Sequence, residues 1–120
     1  MSNPALDKFG ELLIKSVRDK AARDWERIIN GETKGKTAQA VMHQIGSFNT
    51  EQREVLIKLV PQIIDTVLYH LLFTAEQEQN LKLIMRCDDN EQNLKEISDG
   101  LAGELYGTQG WIARFSTKGL

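Results

Sequence analysis

The chain is poor in the residues that mark most kinds of site. It has one cysteine, Cys87, so no intrachain disulfide can form and a cystine-stapled secreted scaffold is excluded. One thiol is also too few for a structural zinc centre. Two prolines and nine glycines leave no room for a collagen-like or proline-rich character. Charge of one sign is scarce as well. Fifteen Lys plus Arg against seventeen Asp plus Glu give a net charge of −2, without the basic excess of a generic nucleic-acid binder. The stretch from Met1 to Asp7 has neither the basic nor the apolar segment of a secretory leader. A cytoplasmic setting is the expectation.

What is present is ordinary for a globular protein. At 120 residues with 41% hydrophobic and 27% charged residues, the chain is too apolar for disorder and fits a single domain, 1–120. Its patterning predicts a mainly α, small α+β fold: a helical bundle around a kinked central helix, with a short two-stranded C-terminal β element.

The first helix is predicted over 4–29. Asn3 can cap it and Pro4 suits the first helical position. Leu6, Phe9, Leu13, Val17, Ala21, Trp25 and Ile28 recur at helical spacing and draw one apolar stripe. Asn30-Gly31 is a stop. A polar linker precedes a second helix over 37–47, with Ala38, Val41, Met42, Ile45 and Phe48 facing inward. Asn49 and Gln52 then resemble a capping box and open a third helix over 50–74.

That third helix is the most informative stretch. Glu51, Glu54, Lys58, Gln62, Asp65 and Tyr69 fall within about 80° of one another on a helical wheel, and apolar residues occupy the remaining arc of roughly 260°. The expectation is a helix enclosed on most sides, with one narrow strip in water. Pro61 should kink it or split it in two. The run from Val55 to Phe73 approaches membrane-spanning length, yet Lys58, Gln62, Asp65 and His70 interrupt it. Lys or Asp at a bilayer centre costs roughly 2.5–3.5 kcal/mol each, so no membrane span is expected. Farther on, Leu81–Cys87 alternates like a strand, 93–106 reads as a helix that Ser98-Asp99-Gly100 could interrupt, and Trp111-Ile-Ala-Arg-Phe115 fits a strand over 111–116 lying beside 81–87.

Catalytic and cofactor motifs are missing. Gly35-Lys36-Thr37 resembles the tail of a phosphate loop, but Gly31 is one residue too close and a helix, not a strand, leads into it. It reads as linker. Gly100, Gly103, Gly107 and Gly110 lack dinucleotide spacing and a βαβ context. His43 and His70 have no partner at ligand spacing, so no metal is expected. Asp88 and Asp89 should raise the thiol pKa of Cys87, the reverse of what a nucleophile needs. No cofactor is implied.

Charge is unevenly spread. From Glu76 to Glu104 eight acids stand against three bases, and Asp88, Asp89, Glu91, Glu96, Asp99 and Glu104 are the candidate interaction surface for a cationic partner. The sequence thus points to a non-catalytic cytoplasmic interaction module of adaptor, inhibitor or immunity type, self-associating as a homo-oligomer or bound to a protein partner. A second reading makes it a small-molecule-binding protein or enzyme in which Tyr106, Trp111 and Arg114 hold an anionic ligand. Nucleic-acid binding through Lys15, Arg18, Arg23, Arg27, Lys34 and Lys36 is disfavoured by the interleaved Asp19, Asp24 and Glu26.

Overall fold

A computed structural model describes residues 3–117; the ends of the 1–120 domain reading lie outside the described residues. The molecule is mainly helical with one small antiparallel sheet, as the patterning predicts. The N-terminal rod consists of α1 (Pro4–Leu12), a π-helical stretch Leu13–Arg18 and α2 (Asp19–Ile29). Asn3 caps it, its side-chain oxygen accepting from the backbone N–H of Ala5 and Leu6. Then come α3 (Lys36–Ile45) and the long α4 (Thr50–Gln77).

The start of α4 matches the sequence, while its course past Pro61 departs from one of the two expectations there, a split into two helices. The Asn49 side chain accepts from the Gln52 N–H and the Gln52 side chain accepts from the Asn49 N–H, both at 2.8 Å, closing the capping box. Pro61 lies inside, and one helix of 28 residues, about 42 Å long, continues across it rather than dividing. The rod lies antiparallel to α4. At one end Arg53 donates to the Ile29 carbonyl at 2.6 Å, satisfying an orphan carbonyl of the rod's last turn. In the middle Arg18 reaches Asp65, and beyond it Leu6, Leu13 and Ile14 share a core with Leu68 and Leu72.

The C-terminal part corrects the predicted strand pairing. β1 (Ile84–Cys87) lies inside the expected 81–87, but its partner is β2 (Asn90–Asn93), a tight hairpin turning at Asp88, whose φ is +57°. Residues 111–116 are not a strand: Trp111–Phe115 is the short α6. A local hairpin wins over the distant pairing because ordering few residues brings its strands together at small entropic cost. The expected helix over 93–106 is in two pieces, α5 (Leu94–Ile97) and a 3-10 turn Ala102–Leu105, separated at Ser98-Asp99-Gly100. There Ser98 Oγ bonds both the Glu104 carboxylate and the Gly100 N–H, a local alternative to helical hydrogen bonding.

Two cores of unequal size result. The larger gathers Leu6, Ile14, Leu72, Leu101, Leu105 and Trp111, among others, from the rod, the C-terminal half of α4 and the C-terminal elements. The smaller, where α2, α3 and the first half of α4 meet, has three buried members, Ile29, Ile45 and Val60. The molecule is elongated, 51 × 30 × 25 Å.

Candidate functional site

The enclosure predicted for α4 does not hold in the single chain. Val55, Leu59, Ile63, Val67 and Leu71, each four residues from the next, are 44–62% exposed. Buried positions are confined to Val60, Leu68, Leu72 and Ala75. The polar strip is redistributed in the same way, since Asp65 turns inward to the rod and Tyr69 stacks with Phe73 at 6.1 Å. Only two neighbours, the rod and the C-terminal elements, reach most of α4, with α3 covering part of its beginning. The apolar arc of α4 is wider than the part of it that the chain covers.

Beside this face lies an apolar groove of about 420 Å³ between α2, α3 and α4. Trp25 and Ile29 from α2, Val41 and Ile45 from α3, Phe48 from the loop and Leu56 from α4 line it, and Gln44 is the polar residue in its wall. A second shallow depression extends it past Phe48 and Leu56 to Val55 and Leu59.

The rod explains why Trp25 is available to the groove. Up to Leu13 the apolar stripe faces inward as predicted. The π-helical stretch then adds a residue to the turn, and the buried face passes to Ile14, Arg18, Asp19, Ala22 and Ile29. Val17 and Trp25, members of the predicted stripe, are left exposed.

That shift buries a charged network which the sequence pattern does not reveal. Arg18, 1% exposed, donates from Nε and Nη2 to the two oxygens of Asp65 at 2.6 and 3.3 Å. Its Nη1 donates to Asp19 at 3.1 Å and to Ser116 Oγ at 3.0 Å. Asp19, 0% exposed, also accepts from Ser116 Oγ at 2.9 Å and from the Thr117 backbone N–H at 2.7 Å. Arg23 donates to Thr117 Oγ1 at 2.6 Å. Burial alone pushes the Asp19 carboxyl up, but the Thr117 N–H, the Ser116 hydroxyl and the Arg18 guanidinium outweigh it and hold it below the ordinary range. Desolvation works against the Arg18 charge too, and Asp65 and Asp19 more than restore it. The network pins the C-terminal segment to the rod and α4. Arg18 is therefore unavailable to phosphates. A signal for this pairing was present: a charge inside the most apolar run of a chain needs a partner, and Asp65 is such a charge.

The sequence-derived candidates fall in separate places. Trp111 is 1% exposed, edge-on to Phe9 at 5.8 Å and pressed against Gly10; it fills the core. Tyr106 lies over α4, its hydroxyl donating to the Asp65 carbonyl at 3.4 Å. Burial, with Asp65 and Tyr69 nearby, raises its pKa. Arg114 bonds Asp7 at 2.8 Å, so the carboxylate it holds is internal. The three do not converge on one cavity. Of the acidic set, Asp88 and Asp89 form the tip of the hairpin, Glu91 pairs with Arg86 at 3.2 Å, and Glu96 sits on α5. Asp99 and Glu104 line a polar cavity of about 560 Å³ with Asp7 and Arg114.

Among the described residues no group of three or more His, Cys, Asp or Glu side chains could hold a metal ion. α4 is the one described helix long and apolar enough to cross a membrane. No protein-family model, curated protein or solved structure matches the chain.

Proposed function

We propose that the protein is a non-catalytic, cytoplasmic interaction module that docks through the apolar face of α4 and the groove beside it. The observation that carries this reading is the row Val55, Leu59, Ile63, Val67 and Leu71, left in water by its own fold. A contiguous apolar surface of this kind marks an interaction site on a soluble protein. Its neighbours Trp25 and Phe48 are of the aromatic type that dominates interface energetics. A membrane span would use the same face, but it would carry Asp65 and its partners Arg18 and Asp19 into hydrocarbon, which the insertion cost of charges opposes. The long side of α4 therefore suits protein better than lipid.

Native purification of tagged wild-type chain beside tagged Val67→Lys tests the module reading. Val67 is exposed in the single chain, so the substitution leaves the folded chain's own packing alone. The expected result is a complex, of one kind of chain or two, that the wild type forms and Val67→Lys loses. A solitary monomer in both preparations contradicts it.

A further inference from the structure

Resting on that reading, we infer that the occupant of the α4 face is a second copy of this chain, laid antiparallel about a two-fold axis near Ile63. The helix carries both halves of such a contact on one side. Its first half borders the groove, through Leu56, Val60, Ile63 and Ile64. Its second half offers a ridge without a groove, Val67 and Leu71. All six positions lie within about 100° on the helical wheel. Turning a second copy by two-fold rotation sets Leu71 of each chain over Leu56 of the other, Val67 over Val60, and Ile63 against Ile64. Each ridge then enters the opposite groove, beneath Trp25 and Phe48. This is the self-complementarity of a closed two-fold dimer, in which a residue and its contact exchange roles across the axis.

Charge does not oppose this occupant. The exposed positions of α4 from Leu59 to Thr74 are Leu59, Gln62, Ile63, Thr66, Val67, His70, Leu71, Phe73 and Thr74, without a Lys, Arg, Asp or Glu. A surface like this selects no partner by charge and does not repel its own copy. Area agrees. The accessible surface is 8128 Å², against about 6,600 Å² for a compact monomer of this size. The radius of gyration is 16.9 Å, against about 14 Å for a compact 120-residue chain. An excess on the order of 1,500 Å² lies within what one partner contributes to an obligate homodimer interface. The three-residue core beneath α3 would be completed by the second copy.

The test uses the full chain alone. Sedimentation equilibrium at about 10–100 µM should give twice the monomer mass, and Val67→Lys should weaken association by roughly 30-fold or more with helix content unchanged. Orientation is read in a Cys87→Ser background. Ile63→Cys, near the axis, should oxidise to a covalent dimer. Val55→Cys, which antiparallel pairing holds ~25 Å from its symmetry mate, should not. Should Val67→Lys unfold the chain, the two cysteine variants still decide. A monomer at every concentration, or cross-linking at both cysteine positions, overturns the proposal. If the purified chain stays monomeric while native purification of the wild type yields a complex with another protein, the second copy falls and the module reading stands.

Discussion

Asp19 gives up its water on folding and receives four hydrogen bonds in return, from Arg18, Ser116 and, twice, Thr117. Removing Asp19 takes the acceptor away from Arg18 Nη1, the Ser116 hydroxyl and the Thr117 N–H at once, while Arg18 keeps its pair with Asp65. Asp19→Ala should therefore destabilise the chain by about 2–4 kcal/mol in denaturant titrations, well beyond an average surface change. The pH dependence has a definite sign. The folded pKa of Asp19 lies below its ordinary value of 3.8, so its contribution is complete above that value and is lost as pH falls through the folded one. Urea titrations between about pH 2 and 6 should show a falling acid limb that Asp19→Asn flattens. An unchanged limb in Asp19→Asn would place the acid sensitivity elsewhere. From the sequence, Arg18 looked like one base among several and Asp65 like one member of a wet strip. Their union depends on which way two helices turn, and a single residue of helical register decides that.

At the scale of elements, termini and local turns were legible because their causes are local: Asn3 with Pro4, Asn30-Gly31, the Asn49–Gln52 box and the break at Ser98-Asp99-Gly100. Faces were legible only where nothing shifted the register. The stripe from Leu6 to Ile28 is exposed at Val17 and Trp25, because the π-helical stretch rotates the turns C-terminal to it and leaves no mark in hydrophobic spacing. Strand partners were hidden for a similar reason. Ile84–Cys87 was readable as extended, but its mate Asn90–Asn93 is polar and offers no alternation. The close seat of Trp111 on the rod was also invisible beforehand. A Cβ at Gly10 would come within 2.5 Å of the indole. Gly10→Ala, though it raises intrinsic helix propensity, should destabilise the fold by about 1–3 kcal/mol through overpacking and alter the near-ultraviolet signal of Trp111. Unchanged or improved stability would show that α6 can move away at little cost.

At the scale of the whole molecule, the apolar arc of the long helix was legible, but the enclosure expected from it is absent, since Val55, Leu59, Ile63, Val67 and Leu71 are exposed. The rod and the C-terminal elements shield one side, and the other is exposed in the single chain. Length and mean composition could not show this, since the same residues would serve equally in the middle of a larger bundle. The most direct measurement is hydroxyl-radical footprinting of the native protein at working concentration, comparing Leu59, Ile63 and Leu71 with Leu12 and Ile84, which the fold exposes to a similar degree. If the face of α4 is an interface, the three α4 side chains should label far more slowly than the two reference residues and gain reactivity on dilution. Equal labelling of all five at every concentration would mean that the face stays wet in the native protein, and would contradict its pairing with a second copy.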